Sequence, residues 1–284
     1  MEGRIVTPSD IDARYAVAQE VIAEAADIAL AYSRDVASLD IEAKGPQDLV
    51  SQADRQVEQH IRRRLTEAFP GDAFVGEETG RGGADGAVGA WVVDPIDGTQ
   101  PFLLGLPFWS VSIAYVVGHD VLIGLVMNPS SGDLYAARKG GGAFVNGVPT
   151  HIIEATSLDA GVTGVGCSLR THPDDLAHIM HGLLSQRGMY LRVGSGALNL
   201  AYVAAGQLIG YVEMHINAWD CAAALCICQE AGALANDFLG LHGITGGGAL
   251  VVGAPGVYAA LVGLLPPGTA LEPDGDSPPL TPIP

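Results

Sequence analysis

Trp91-Val92-Val93-Asp94-Pro95-Ile96-Asp97-Gly98-Thr99 sets two carboxylates and a hydroxyl directly after an apolar run. Ala90 to Val93 reads as a buried strand, and Asp-Pro followed by Asp-Gly reads as a tight turn closing it. An ordinary strand ending in a turn accounts for this composition, since Asp, Pro and Gly are common turn residues. A divalent-metal phosphate site accounts for it too. Such a site needs hard oxygen ligands held close together, with backbone N–H groups left to receive an anion.

The surrounding motifs favour the second reading. Upstream lie Lys44-Gly-Pro-Gln-Asp48-Leu-Val-Ser51-Gln-Ala-Asp54 and Phe74-Val-Gly76-Glu77-Glu78; downstream lie Gly140-Gly-Gly-Ala-Phe-Val and Ala218-Trp219-Asp220-Cys-Ala-Ala. In this order and spacing, over residues 10 to 265, they resemble the signature of the inositol monophosphatase family, which are Mg-dependent phosphomonoesterases. Separate motifs in the right order coincide by chance far less often than any one of them.

Composition bounds the function independently. With 32 acidic against 14 basic side chains, the formal charge of −18 repels nucleic acid and anionic membrane surfaces. A small anionic substrate must be drawn in locally, and bound cations are the obvious agent. Cys221, Cys226 and Cys228 fall within one expected helix, without zinc-finger spacing, and with Cys167 read as free thiols. The beginning of the chain shows no basic region followed by an apolar one, so no signal peptide is expected and the assignment is cytoplasmic. Ala249 to Leu265 is uncharged, but Gly253, Pro255 and Gly256 divide it into a strand-like and a helix-like run of buried core.

Ser9 with Asp12 marks the start of a long first helix; Val57, Ile61 and Leu65 mark a second, ending near Phe69-Pro70-Gly71. Strands follow at Phe74–Val75, Ala90–Val93, Val111–Val117, Val121–Val126 and Leu134–Ala137, with Gly80 to Gly89 read as a flexible loop. Further helices are expected around Pro173–Leu184, Ala197–Ala205 and Trp219–Ala231. The fold class is α/β, and the resemblance implies a layered α-β-α-β-α sandwich of the inositol monophosphatase and sugar phosphatase type. It divides into residues 1–150, with most metal ligands, and residues 151–265, with the substrate contacts. Residues 266–284 form a proline-rich tail without periodic pattern, expected to be disordered.

The resemblance also implies a site. Glu77, Asp94 and the carbonyl of Ile96 hold one Mg²⁺, and Asp94, Asp97 and Asp220 hold a second, with a third ion near Glu77 in some relatives. Two such ions stand roughly 3.5 to 4 Å apart and serve water and leaving group on opposite sides of the phosphorus. Gly98 and Thr99 receive the phosphate. Thr99, hydrogen-bonded to Asp54, helps deprotonate the attacking water, although a simple helix cap is also an ordinary role for Thr. Lys44 sits on a loop able to close over the metals. Substrate contacts are assigned to Asp97, Gly98, Thr99, Gly194, Ser195, Gly196, Ala197 and Glu213, with Glu213 receiving ring hydroxyls. His178 and His181 have helical spacing suited to zinc but no motif around them, and a solvated helix face is simpler.

The family pattern is broken at Thr99-Gln100-Pro101-Phe102, where many members carry Asn before Phe and this chain has Pro101, which lacks a backbone N–H. The resemblance thus implies Mg-dependent hydrolysis of a small phosphate monoester, most of all inositol monophosphate, by direct attack of metal-activated water. It further implies lithium sensitivity and a homodimer. Histidinol phosphate, a sugar phosphate or bisphosphate, and a phosphoadenosine nucleotide are alternatives on the same fold. A regulatory or binding protein with a vestigial site is the alternative of another class.

Overall fold

The structure is a computed structural model describing residues 6–36, 39, 41–45, 48–84 and 86–272, with the side chains at 41, 43–45 and 48–50 excepted. Helix α1 (Pro8–Ser33) opens on Thr7, whose hydroxyl accepts from the Asp10 N–H while the Asp10 carboxylate accepts from the Thr7 N–H. The start lies upstream of the Ser9–Asp12 pair because Pro8, having no N–H to leave unbonded, suits the first turn. Strands β1 (Ile41–Gly45) and β2 (Asp48–Ser51) form an antiparallel hairpin leading into α2 (Gln52–Ala68). The backbone of Lys44 lies in this hairpin, and the side chains of Lys44 and Asp48 lie outside the described part. On α2 the buried stripe is Ala53, Asp54, Val57, Glu58, Ile61 and Leu65, so two acids share an otherwise apolar face.

The first half continues through β3 (Ala73–Gly76), β4 (Gly80–Gly83), β5 (Gly89–Asp97), the short helix α3 (Thr99–Leu103), β6 (Ser110–Val117), β7 (Asp120–Asn128), β8 (Asp133–Arg138), β9 (Ala143–Val145) and β10 (Val148–Thr150). These strands join in one sheet of order β10-β9-β8-β7-β6-β5-β3-β4, with β3 parallel to β5. Gly80–Gly83, expected as loop, is an edge strand paired with β3 from Gly76↔Gly80 to Ala73↔Gly83. Glycine-rich sequence carries no side-chain period, so pairing made by main-chain bonds alone leaves no pattern to read.

The second half comprises β11 (Val162–Val165), α4 (Pro173–Ser185), β12 (Met189–Leu191), α5 (Gly196–Ala204), β13 (Gly210–Asn217), α6 (Ala218–Glu230), β14 (Leu234–Ala235), α7 (Phe238–His242), β15 (Gly247–Gly253) and α8 (Pro255–Val262). Its sheet has the order β12-β11-β13-β15-β14, in which β12, β11 and β13 run parallel. Ala249 to Leu265 is indeed divided between β15 and α8 and buried in the core.

Helices α1 and α2 cover the outer face of the first sheet, α5 and α6 fill the space between the sheets, and α4 and α8 cover the outer face of the second. The α-β-α-β-α layering follows. From Cys221 to Cys228 helix α6 is apolar all round, with Cys221, Cys226 and Cys228 buried as free thiols, because a helix between two sheets has no solvent face there. It lies so close to β7 that a Cβ on Gly124 would stand 2.1 Å from the Ala223 carbonyl oxygen. Gly124→Ala is therefore expected to destabilise the fold by about 2 kcal/mol or more through overpacking. Urea denaturation checks this, and an unchanged midpoint would show that the middle layer is free to shift.

Candidate active site

The pairing of β5 with β6 breaks between Asp94↔Ser112 and Asp97↔Ser110, at Pro95 and Ile96. Such a bulge re-aims the side chains beyond it. Asp94 Oδ1 accepts the Ile96 N–H at 3.0 Å, closing the turn on itself, and the Ile96 carbonyl accepts the Thr99 hydroxyl at 3.3 Å. Parallel pairing of β3 with β5 matches Gly76 to Val93, which brings Glu77 alongside Asp94; the Glu77 N–H donates to the Val93 carbonyl at 3.2 Å. Asp220 arrives from the first turn of α6, its Oδ2 accepting the Asn217 N–H at 3.1 Å and the Asn217 amide at 3.0 Å. Asp94, Asp97 and Asp220 each offer an oxygen within 4.8 Å of the others.

Crowding and burial together disfavour the charged forms of these acids. Burial, then the charges of Glu77, Asp97 and Asp220, hold the Asp94 carboxyl well above its usual range. Burial and the charge of Asp220 push Asp97 up to about 7, against hydrogen bonds from Ser195, Ala197 and Gly196 that favour its ionised form. Burial also raises Asp220. Buried carboxylates that repel one another and offer only oxygen fit a hard divalent cation, whose charge would relieve that repulsion.

Gly98 precedes α3 with φ +92°, and a Cβ there would come 3.0 Å from the Phe108 carbonyl oxygen and 3.1 Å from Ser195 Cβ. Glycine is thus required on two grounds. Asp54, fully buried in the first turn of α2, accepts the Ser51 N–H at 2.8 Å and the Ser51 hydroxyl at 2.7 Å. Helix α3 lies against β2, the strand leading to that cap, so the Thr99 and Asp54 segments are neighbours. The Thr99 hydroxyl itself donates to the Ile96 carbonyl.

The second sheet supplies a cavity of about 160 Å³ at the carboxyl ends of its parallel strands, lined among others by Asp97, Asp220, Ser195, Glu213 and Arg192. This is where open α/β sheets receive ligands. Asp97 sits on the N-terminus of α5: its Oδ2 accepts the Ser195 hydroxyl at 2.5 Å and the Ala197 N–H at 2.8 Å, and its Oδ1 accepts the Gly196 N–H at 3.2 Å. The N–H groups of Gly196 and Ala197, assigned from sequence to substrate, are bonded here to Asp97. Gly194, with φ +89°, faces Pro101, whose Cγ would be 2.9 Å from an added Cβ. Glu213 accepts the Tyr211 hydroxyl, and burial pushes its carboxyl up to about 8.

Sequence reasoning missed Glu58. Its carboxylate accepts the N–H groups of Glu78 and Thr79, each at 2.8 Å, and so holds the turn that presents Glu77. The available signal was an acid four residues after Asp54, on the apolar stripe of α2. His178 and His181 are exposed on α4. Among the described residues the ligand-type side chains that converge are Asp94, Asp97 and Asp220.

Residues 10–265 match the model of the inositol monophosphatase family. An inositol-1-monophosphatase of Mesorhizobium japonicum is 35% identical over 257 residues, which is 88% of this chain and 96% of the relative. A Nus factor SuhB of Pseudomonas aeruginosa is 34% identical over 235 residues, covering 81% and 87% respectively. The crystal structure of extragenic suppressor protein suhB from Bartonella henselae superposes with a TM-score of 0.81 at 30% identity, covering 89% of this chain and 98% of that one.

The raised carboxyls set the pH dependence of the metal-free protein. Asp97 keeps its proton in the folded state up to about 7, whereas an unfolded Asp releases it near 3.9. The folded state therefore binds more protons across that window, and stability falls as pH rises through it. Urea midpoints in chelator are expected to decline from about pH 4 to about pH 7, and Asp97→Asn to flatten the decline. A midpoint that climbs over the same range would contradict the crowding.

Proposed function

The chain belongs to the inositol monophosphatase family of phosphoric monoester hydrolases, and we propose that it cleaves inositol monophosphate in an Mg²⁺-dependent reaction. The observation that carries this reading is the convergence of Asp94, Asp97 and Asp220 within 4.8 Å, beside a cavity that contains Glu213. Oxygen-only donors and raised carboxyls are what a hard divalent ion would relieve. In this reading Glu77, Asp94 and the Ile96 carbonyl would hold one Mg²⁺, and Asp94, Asp97 and Asp220 a second, with a third ion near Glu77 as in some relatives. When bound, the ions supply neutralisation of phosphate charge and activation of water.

The chain's own residues do the rest. Gly98, lacking a side chain, allows the ester phosphate to approach the backbone at the start of α3. Thr99 and Asp54 orient the attacking water and take its proton, and the segment that carries Lys44 would be the one to close over the site. The phosphoryl group passes directly to water, with no phosphorylated side chain. Glu213 accepts ring hydroxyls, and the Gly194–Ala197 turn shapes the cavity around them. Residues 1–150 thus carry most of the metal chemistry and residues 151–265 the substrate selection. A homodimer, competition by Li⁺ for an Mg²⁺ position and a cytoplasmic location belong to the same reading. No helix among the described residues is long and apolar enough to cross a membrane, and the charge of −18 disfavours nucleic acid.

Histidinol phosphate, sugar phosphates or bisphosphates and a phosphoadenosine nucleotide are competing substrates on this fold. The reading as a regulatory protein with a vestigial site draws on the relatives named Nus factor SuhB. One experiment separates them: phosphate release from inositol 1-phosphate, histidinol phosphate, fructose 1,6-bisphosphate and 3′-phosphoadenosine 5′-phosphate, with Mg²⁺ and with chelator. Inositol 1-phosphate is expected to be cleaved best, in Mg²⁺ only, and Asp94→Asn to lower the rate by roughly a hundredfold or more. Failure to cleave any of the four, with a stable partner retained by Asp94→Asn, would favour the regulatory reading. Glu213→Ala is expected to raise KM for inositol 1-phosphate by roughly tenfold, the value of one or two hydrogen bonds of about 1 kcal/mol each. p-Nitrophenyl phosphate, which has no ring hydroxyls, should be affected little; equal losses on both would remove Glu213 from polyol recognition.

A further inference from the structure

Tyr211 and Glu213 lie two apart on β13, so both side chains take the face of the second sheet that carries the cavity, and both line it. Both residues are buried. The Tyr211 hydroxyl donates to Glu213 Oε2. Burial, and then the charge of Glu213, hold the phenol well above its usual range, so its proton stays in place to be donated. That bond favours the ionised carboxyl of Glu213, against a burial that disfavours it.

The neighbouring strand is cut back to admit this pair. Parallel pairing matches Gly164 of β11 to Tyr211, and the Gly166 N–H donates to the Val212 carbonyl at 2.9 Å. A Cβ on Gly164 would stand 2.8 Å from Tyr211 Cδ2 and 3.3 Å from Asn199 Oδ1. One on Gly166 would stand 2.1 Å from both the Tyr211 hydroxyl and Glu213 Oε2. Two glycines at alternate positions thus open a slot for the ring, and their backbone walls in the bond between phenol and carboxylate. A glutamate loses rotamer freedom whenever it must meet a ligand in one orientation. Here that freedom is removed beforehand, by a rigid ring that engages one carboxylate oxygen. A carboxylate accepts at both oxygens, so Oε1 is left to receive a hydroxyl.

We propose that Tyr211, seated in the slot made by Gly164 and Gly166, is a positioning residue that holds Glu213 in its substrate-receiving orientation and so sets how tightly the cavity takes a polyol hydroxyl. This rests on the phosphatase reading above and on the role given there to Glu213. Tyr211 acts through Glu213 and takes no part in the bond cleavage.

The test measures kcat and KM in Mg²⁺ for inositol 1-phosphate and p-nitrophenyl phosphate with the full-length protein. It compares the native chain, Tyr211→Phe, Glu213→Ala, the double variant and Gly166→Ala. Tyr211→Phe keeps the ring and removes only the hydroxyl. It is expected to raise KM for inositol 1-phosphate roughly fivefold, the measure of one ordinary hydrogen bond. The turnover number should stay within about twofold, and the loss should be confined to the ester with ring hydroxyls. In the Glu213→Ala background the same change should add nothing, because the residue through which Tyr211 acts is gone. Gly166→Ala crowds the hydroxyl and the carboxylate together and should show the same selective loss; it decides the matter if Tyr211→Phe does not fold. Equal losses on both esters, an unchanged KM for inositol 1-phosphate, or additive losses in the double variant overturn the proposal. Should neither ester be cleaved, calorimetric Kd values for inositol 1-phosphate in Mg²⁺ decide with the same proteins. Coupled losses of affinity at positions 211 and 213 then uphold the role of Tyr211 while the phosphatase reading falls; additive losses, or no binding, overturn both.

Discussion

Asp97 on the N-terminus of α5 is the contact through which the two halves of the site become one. The carboxylate leaves β5 of the first sheet and is received by Ser195, Gly196 and Ala197 of the layer between the sheets. Two backbone N–H groups that would otherwise go unbonded at the helix start are satisfied, and the positive end of α5 faces a negative group. Those bonds favour the ionised form of Asp97, against a burial that disfavours it. Asp94, which accepts the Ile96 N–H within its own turn and sits on no helix start, is displaced well upward by burial and three neighbouring acids.

The same device recurs around the site. Asp54 lies in the first turn of α2 and Asp220 in the first turn of α6, each in a reciprocal cap with the residue before its helix. Helices α5 and α6 both bring their N-terminal ends to the carboxylate cluster, through Asp97 and Asp220, so the dipoles that steady those carboxylates would also favour an incoming anion. This explains how a chain of charge −18 can offer a place for an anion. Local polarity, set by backbone direction, outweighs net charge at short range because the field of distant surface charges is screened within about 10 Å.

How much of this was legible in the sequence follows from the distance along the chain over which each feature is built. Asp94, Ile96, Asp97 and Thr99 are consecutive or nearly so, and a strand ending in a turn fixes their relation locally. Helix α6 was equally plain, since its apolar run is bounded by Asn217 and Gly232. The capping role of Ser195 toward Asp97 was not legible, because it joins residues 98 positions apart. Nor was the seating of Arg192 on the Cys167 carbonyl, which depends on β12 pairing with β11 in parallel. Glu58 stood between these cases: its place on the α2 stripe was visible, but its partners Glu78 and Thr79 come from the following strand turn.

Pro101 shows how a departure from a family pattern can be absorbed. It is the third residue of α3, within the first turn, where backbone N–H groups have no partner inside the helix and a missing donor costs little. The ring is buried, and an added Cβ on Gly194 would meet it at 2.9 Å, so the two residues fill one space. Gly98 stands in the same relation to Ser195, whose Cβ would lie 3.1 Å from an added methyl. The α3 turn and the Gly194–Ser195 turn are therefore locked across two glycine contacts. A side-chain amide at position 101 would have offered a polar contact at this seam; proline instead fixes φ and fills volume. The seam gains rigidity where Gly194 and Ser195 line the cavity.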